Sequence, residues 1–148
     1  MDELSALTPE LSRSLLAWWE MHGRRDPEQK PWMFTPEGTW SEPYEHLNPY
    51  PIHVAEVMLQ QTQLQVVLPY WQRWMESFPT LEALAQAEVQ TVLLSWQGLG
   101  YYSRARRLHG SAQTLLKRIG SQSCEDPQSW PQEPDFWLDL PGIGLSTA

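Results

Sequence analysis

Apolar residues recur at steps of three and four through most of this 148-residue chain. The pattern is already clear in the first twenty residues, at Leu4, Leu7, Leu11, Leu15 and Trp18. A spacing near 3.6 residues predicts amphipathic helices, whereas a strand with one buried face alternates with a period of two. Because no stretch keeps a period of two, the sequence predicts an all-α fold. The chain is long enough for one domain with a hydrophobic core, but short for two.

Capping residues predict where these helices begin and end. The first is predicted to begin at Thr8-Pro9 and to end near His22-Gly23, because proline is favoured at the first helical position. The helical pattern returns from Ile52, and Thr62 and Thr80 can cap the next two helices. The stretch between the first helix and Ile52 has no helical pattern.

Residues 24–51 form a long connection of different composition. They include six prolines and five aromatic residues. Proline at this density blocks long helices because it lacks a backbone donor. Connections of this length are unusual in compact domains and are often functional or inserted. We therefore predict an irregular segment held by its aromatic side chains, with residues 33–51 as a loop insertion.

The net charge does not exclude a nucleic-acid partner. The formal charge is −8, whereas proteins that bind nucleic acids usually show a basic footprint. However, no acidic residue lies between Glu88 and Glu125, where Arg104, Arg106 and Arg107 occur. A protein that is acidic as a whole can still present one basic face.

The N-terminus and the cysteine content predict the compartment. Met1-Asp2-Glu3 shows neither the basic nor the apolar segment of a signal peptide, and no apolar run approaches the roughly 18 residues of a membrane span. Cys124 is the single cysteine, which excludes an internal disulfide, and the four histidines lack zinc-ligand spacing. We therefore expect a cytoplasmic protein with no metal site of its own and no membrane partner.

Residues 55–63 place one carboxylate beside an apolar helix face and follow it with glutamines. Glu56 is costly to bury in its ionised form, so an apolar site would favour its protonated form. The glutamines, including Gln61, carry amide donors and acceptors that suit base edges and gaps in a strand. The alternative is a solvated glutamate at a polar helix end.

Residues 98–107 read Gly-Leu-Gly-Tyr-Tyr-Ser-Arg-Ala-Arg-Arg. They place two tyrosines on a glycine-rich turn directly before a helix predicted over residues 101–119. Tyr101 could enter between base steps while Arg104, Arg106 and Arg107 contact phosphates. The alternative is a pair of capping tyrosines on a solvated basic helix.

Residues 140–148 have the pattern of a helix-hairpin-helix: a helix end, Pro-Gly-Ile-Gly, and Ser-Thr at the next helix start. Gly142 and Gly144 let the backbone turn tightly and approach a phosphate. The free amides of the second helix, near Ser146, would then point at that anion. The alternative is an ordinary turn between two helices.

Together these segments resemble the N-terminal part of adenine DNA glycosylases, the MutY family of the helix-hairpin-helix superfamily that includes endonuclease III. The resemblance covers roughly residues 10–148 and is most specific at Glu-Val-Met-Leu-Gln-Gln-Thr-Gln (56–63) and Gly-Leu-Gly-Tyr-Tyr (98–102). It implies an all-α helix-hairpin-helix glycosylase fold. It also implies base-excision repair of double-stranded DNA, with removal of adenine mispaired with 8-oxoguanine or guanine.

The resemblance also implies residue roles. Glu56 matches the family's catalytic acid, which protonates adenine so that the base leaves in neutral form, and its apolar neighbours suit an acid that keeps its proton. Gln61 matches a glutamine that enters the gap near the flipped nucleotide, and Tyr101 a tyrosine that wedges beside the damaged guanine. Leu59 lines the same region, and Trp32 belongs to the family's Pro-Trp motif.

Two positions refine the comparison with the family. Ser146 stands where bifunctional relatives of the endonuclease III type carry a catalytic lysine. Because serine cannot form a Schiff base, the match is to a glycosylase without lyase chemistry. Met33 stands where the family has an arginine after Pro-Trp, which weakens the expectation of one phosphate or base contact there.

The chain ends at Ala148, before the positions of several parts that the family carries. These are the catalytic aspartate, the four cysteines of a 4Fe-4S cluster, and the C-terminal domain that recognises 8-oxoguanine. We therefore expect residues 1–148 to be the N-terminal part of the helical domain with an incomplete hairpin, to hold no cofactor, and to be inactive alone. The alternatives are a non-catalytic DNA-binding remnant and a helical domain whose motifs no longer act. Enzyme activity of this chain and its oligomeric state are left open.

Overall fold

The structure is a computed structural model that describes residues 2–23, 26–35, 38–40, 47–122, 124, 126–140 and 142–143. Across these residues the α-helices are α1 (Asp2–His22), α2 (Pro49–Leu59), α3 (Leu64–Ser77), α4 (Leu81–Gln86), α5 (Val89–Trp96), α6 (Ser103–Ile119) and α7 (Pro134–Leu138). Short 3₁₀ turns occur at Pro31–Met33 and Pro127–Ser129. The one extended pairing among the described residues is an isolated bridge between Phe34 and Trp40. The predicted all-α class is confirmed.

The chain divides into two units, residues 1–31 and 32–148. In the first unit, α1 begins at Asp2, six residues before the predicted start at Thr8, and ends at His22 as predicted. Pro9 lies inside this helix, where it removes one backbone donor without ending the helix. Near its end, the Trp18 ring stacks on His22 at 5.2 Å.

In the second unit, α6 packs against α2, α4 and α5. The core between them is dominated by bulky side chains, of which the largest fully buried ones are Trp74, Trp96, Tyr50, Met58, Leu81, Leu84, Leu108 and Leu115. The Trp74 ring meets that of Trp96 nearly edge-on at 5.6 Å, a favourable arrangement for aromatic pairs. The helices that carry residues 52–119 are therefore built on one aromatic and aliphatic core.

Prolines shift two helix boundaries relative to the sequence prediction. The helix expected from Ile52 begins at Pro49, because Asn48 caps it by accepting a bond from the Tyr50 amide at 3.1 Å. The last helix, which the sequence predicts over residues 136–140, likewise begins earlier, at Pro134. In both helices proline occupies the first turn, where its missing donor costs little.

The predicted caps have opposite outcomes. Thr80 caps α4 by accepting from the Ala83 amide at 3.0 Å, so that prediction is confirmed. Thr62 does not cap α3, whose N-cap is Gln63 without a side-chain bond. The Thr62 hydroxyl instead accepts from Arg104.

Aromatic contacts hold the described part of the proline-rich connection. The Phe34 ring meets the Trp40 ring edge-on at 5.6 Å, and the hydroxyls of Thr35 and Thr39 lie 2.8 Å apart. Residues 36–37 and 41–46 lie outside the described residues. Among the residues that are described, no helix has the length and apolar character needed to cross a bilayer.

Candidate functional site

Glu56 lies on α2 and faces a cleft of about 330 Å³ in the second unit. Apolar groups form much of the lining, with Ile52, Pro131, Pro134 and Trp137 among them. The Glu56 side chain itself is exposed. We expected apolar surroundings that would bury it, and the structure corrects this: α2 turns its apolar residues inward and leaves Glu56 on the open side of the cleft.

His53 lies one turn before Glu56 and contributes to the same cleft. Its Nε2 is 3.2 Å from the hydroxyl of Ser111, which donates its single proton to Leu108 O at 2.9 Å. Both bonds form together when His53 Nε2 is the donor in the first, so this arrangement favours the tautomer with the proton on Nε2. Burial lowers the pKa of His53 to about 4. A lone histidine in such a sequence is more often a packed or surface residue than a ligand, and the structure shows a packed one whose neutral imidazole forms part of the cleft wall.

This burial makes stability depend on pH. Because the pKa of His53 falls from 6.5 to about 4 on folding, the unfolded chain binds a proton in this range that the folded chain does not. We expect the free energy of unfolding to be unaffected by His53 above pH 6.5 and to fall by about 3 kcal/mol between pH 6.5 and 4. Denaturant unfolding across this range measures it. The His53→Phe variant should lose this slope, and the exposed His22→Phe control should keep it. An unchanged slope in His53→Phe would contradict the assignment.

Gln61 and Tyr101 occupy two separate turns, and both have a left-handed backbone. Their φ angles are 59° and 48°, and they are the two non-glycine residues with positive φ in the described part of the chain. For side chains other than glycine this conformation costs about 1–2 kcal/mol, and such strain concentrates at functional sites. Both side chains are exposed, Tyr101 by 64%. The structure thus presents outward the two residues that the sequence singled out as wedges.

Glycines shape the turn before Tyr101. Gly98 and Gly100 have φ angles of 94° and 81°, and a Cβ on Gly98 would clash with the Tyr70 hydroxyl. Trp96 Nε1 donates to Gly100 O at 2.9 Å, which anchors the turn to the core. Tyr101 therefore lies on a turn that a hydrogen bond from the buried Trp96 holds to the core.

Arg104 is not available to DNA, which corrects the prediction that it contacts phosphate. It is only 5% exposed. Its guanidinium donates to backbone carbonyls of both turns, including Met58 O at 2.8 Å and Gly100 O at 3.3 Å, and to Thr62 Oγ1 at 2.9 Å. Because both of its Nη groups donate to acceptors within the protein, the Arg104 side chain stabilises the two turns.

Trp32 is also buried, with 5% of its surface exposed, and its ring packs on that of Trp71 at 5.3 Å. The predicted role in contacting DNA is corrected, because the ring is buried against Trp71. Leu59 is partly buried and packs against the hydrophobic core of the second unit. The sequence places His109 among the basic residues and so predicts it on the basic face. The structure corrects this, because His109 is buried and its Nε2 has no partner among the described residues.

Arg106 and Arg107 are exposed at the start of α6 and remain candidates for contacting phosphate. Gly142, the first glycine of the predicted hairpin, has φ +80° and lies against the Arg107 stem, where a Cβ would approach Arg107 Cδ to 3.0 Å. Gln60 Nε2 donates to Gly142 O at 3.1 Å. The start of the hairpin therefore adjoins the end of α2 and an exposed arginine. Gly144 and Ser146 lie outside the described residues.

The residues of this chain do not suit a 4Fe-4S cluster of the kind the resemblance implies. Such a cluster takes four cysteine ligands, and Cys124 is the single cysteine. That thiol is buried and donates to Ser121 O at 3.0 Å. Within the described ranges, no three His, Cys, Asp or Glu side chains are grouped so that they could hold a metal ion.

A family model described as HhH-GPD superfamily base excision DNA repair protein matches residues 54–140. The chain therefore belongs to the HhH-GPD superfamily, which confirms the predicted helix-hairpin-helix class. The matched range includes Glu56, Gln61 and Tyr101 together with the buried Arg104.

The predicted resemblance to adenine DNA glycosylases is confirmed by curated relatives. The chain is 37% identical to the adenine DNA glycosylase of Rattus norvegicus over 136 residues, which cover 92% of this chain and 24% of that protein. It is 39% identical to that of Schizosaccharomyces pombe, covering 77% of this chain and 23% of the relative. For Mycolicibacterium smegmatis the identity is 38%, covering 90% of this chain and 39% of the relative. The chain thus spans well under half the length of these relatives.

Solved structures share the fold. A thermostable thymine-DNA glycosylase superposes with a TM-score of 0.68 at 21% identity, over 94% of this chain and 54% of that one. An endonuclease III in a non-covalent complex with DNA gives a TM-score of 0.63 at 18% identity, over 94% of this chain and 55% of that one. At these identities the likeness establishes the helical fold.

Proposed function

We propose that this chain supplies the base-excision cleft of an adenine DNA glycosylase, which acts on double-stranded DNA with adenine opposite 8-oxoguanine or guanine. One observation carries the proposal: Gln61, five residues after Glu56, and Tyr101, from a separate turn, are both exposed and left-handed and flank the same buried guanidinium. Two protruding side chains in the same unit as a cleft that holds a carboxylate suit an enzyme that must open a duplex before it reacts with one base.

In this proposal Gln61 and Tyr101 enter the duplex and replace the stacking of the target nucleotide. An enzyme that acts on a base must take it out of the stack, at a cost of a few kcal/mol. Side chains that fill the vacated space reduce this cost. Adenine is then free to occupy the cleft beside Glu56.

Glu56 is the proposed proton donor to the adenine ring. A protonated base leaves as a neutral group, so the positioned acid lowers the barrier to cleavage of the glycosidic bond. The Glu56 side chain is exposed without DNA, and a bound duplex would exclude water from the cleft. His53 adds no competing positive charge beside the acid, because burial lowers its pKa and keeps the imidazole neutral near pH 7.

A second candidate is a DNA-binding role without turnover for these residues alone. The lining of the cleft favours this role, because Glu56 is the single carboxylate among the described residues that line it. Loss of the base leaves a cationic sugar, and glycosidic cleavage commonly relies on a second carboxylate that stabilises this charge.

Single-turnover kinetics distinguish the two functions. We expect the whole glycosylase to which this chain contributes its cleft, hereafter the intact protein, to release adenine from a duplex that pairs it with 8-oxoguanine. It should leave a duplex with adenine opposite thymine unchanged. Binding of the first duplex without release supports the second candidate. Neither binding nor release rejects both functions.

Arg106 and Arg107 should account for part of the salt dependence of binding. Each phosphate contact contributes about −0.9 to the slope of log K against log salt for duplex DNA. Replacing both arginines by glutamine should reduce the magnitude of the slope by about 1.8, as measured by fluorescence anisotropy at several salt concentrations. The exposed Arg13→Gln variant is the matched control and should keep the slope. An unchanged slope in the double variant would rule out these contacts.

A further inference from the structure

Arg104 joins the two turns that carry Gln61 and Tyr101. Its Nη1 donates to carbonyls at the end of α2, those of Val57 at 3.4 Å, Met58 at 2.8 Å and Gln60. Its Nη2 donates to Thr62 Oγ1 at 2.9 Å and also to Leu99 O at 3.4 Å and Gly100 O at 3.3 Å. One side chain thus bonds to the residues on both sides of Gln61 and to the residue before Tyr101.

Each of these partners is a neutral oxygen, although the guanidinium is a cation buried in the protein. Burying a charge without a counter-charge is costly unless hydrogen bonds compensate it. The face of the guanidinium also lies over aromatic rings, 5.2 Å from the Trp96 centroid and 5.6 Å from the Tyr101 centroid, which stabilises a cation further. Moving either turn would break bonds that the buried charge needs.

The guanidinium is planar and rigid, so its two Nη atoms hold their acceptors at a fixed separation. Gln61 and Tyr101 have left-handed backbones that side chains other than glycine seldom adopt without support. The bonds from Arg104 reach both neighbours of Gln61 and the residue before Tyr101, and so supply that support. The two turns are therefore ordered before any partner binds, which reduces the entropy that binding would otherwise lose.

We propose that Arg104 is a positioning residue that fixes the separation of Gln61 and Tyr101, so that the two side chains enter DNA as one rigid wedge. This inference rests on the proposed function for its final step, and on the hydrogen bonds alone for the coupling of the two turns. Arg104 itself does not touch DNA and acts through the two residues that do.

The test uses Arg104→Lys in the intact protein. Lysine keeps the charge, but a single ammonium cannot bond to both turns as the planar fork does. The matched control is Arg118→Lys, an exposed position fourteen residues further along α6, about 21 Å away at 1.5 Å per residue. Should Arg104→Lys not fold, Thr62→Val removes one acceptor of Nη2 and should show the same effects in weaker form.

The first readout is amide hydrogen exchange, which needs no enzyme activity. We expect exchange at residues 60–62 and at residues 99–101 to quicken together in Arg104→Lys, and neither to change in Arg118→Lys. Faster exchange at one turn only, or at neither, overturns the coupling. This result stands even where the proposed function fails and no duplex is cleaved.

The second readout is the single-turnover rate of adenine release, compared between two backgrounds. In the wild-type background Arg104→Lys should slow release roughly 10- to 100-fold. In a background with Gln61→Ala and Tyr101→Ala it should cause little further loss, because residues that act as a unit are not additive. Equal loss in both backgrounds would show that Arg104 acts on the chemistry or on the fold at large, and would overturn the positioning role. No loss in the wild-type background would also overturn it.

Discussion

Replacing Glu56 by glutamine will slow adenine release by about 10²- to 10⁴-fold, the range that general acid catalysis contributes. The amide has nearly the same shape as the carboxyl group, but it cannot deliver a proton to the base. Because Glu56 is exposed on the cleft wall and supports no part of the core, the fold should be unaffected. Duplex binding should stay within about twofold of the wild type.

The measurement is the single-turnover rate of adenine release from an adenine:8-oxoguanine duplex, with binding followed separately by anisotropy. Glu76→Gln is the matched control, because Glu76 is exposed on α3 and does not line the cleft. It should leave both quantities unchanged. A Glu56→Gln variant that releases adenine at the wild-type rate would remove Glu56 from the chemistry. A loss of binding equal to the loss of rate would point to a contact with DNA instead.

Most helices, and the exposed turn that carries Tyr101, could be predicted because they depend on local patterns, whereas the roles of the site residues stay predictions. Thr80 caps the helix that follows it, and α6 ends at Ile119 as its apolar spacing indicated. Tyr101 lies on the turn that its glycine-rich sequence predicted, and Gln61 lies in the break before the helix that Thr62 was predicted to cap. A helix start, a cap and a tight turn are each decided within a few residues.

The role of Arg104 depends on residues that are more than 40 positions away in the sequence. No local pattern could have paired it with Thr62, whose own neighbours predict a helix cap. The helical period did carry a partial signal. Leu108, Ala112 and Leu115 lie four, eight and eleven residues after Arg104 and are all buried, so Arg104 begins the inward stripe of α6, whereas Arg106 and Arg107 lie outside it.

The burial expected for Glu56 could not be predicted from its neighbours in the sequence. Its apolar neighbours in the sequence, Ala55 and Val57, are buried as expected. However, they point inward from α2 while Glu56 points outward, because successive residues of a helix lie about 100° apart. Apolar neighbours along the chain therefore do not bury a side chain, and exclusion of water from the cleft must come from whatever covers it.

Replacing Trp96 by alanine will lower the free energy of unfolding by about 3–5 kcal/mol, the usual cost of removing a buried aromatic side chain. Trp96 is 0% exposed, packs edge-on against Trp74, and lies beneath the guanidinium of Arg104. Its Nε1 also donates to Gly100 O at 2.9 Å. Since domains are stable by about 5–15 kcal/mol, this one substitution removes a large share of the total.

Equilibrium unfolding in urea measures this loss in the intact protein. Trp96→Phe separates packing from hydrogen bonding: it keeps an aromatic ring in contact with Trp74 and loses the bond to Gly100, so it should cost less than Trp96→Ala. Trp18→Ala is the control, because Trp18 is 59% exposed and should change stability by no more than about 0.5 kcal/mol. A Trp96→Ala variant that loses less than about 1 kcal/mol would mean that this ring does not support the core. Other residues would then have to stabilise the Gly98–Tyr101 turn and Arg104, because in the structure Trp96 bonds to the turn and lies under the Arg104 guanidinium.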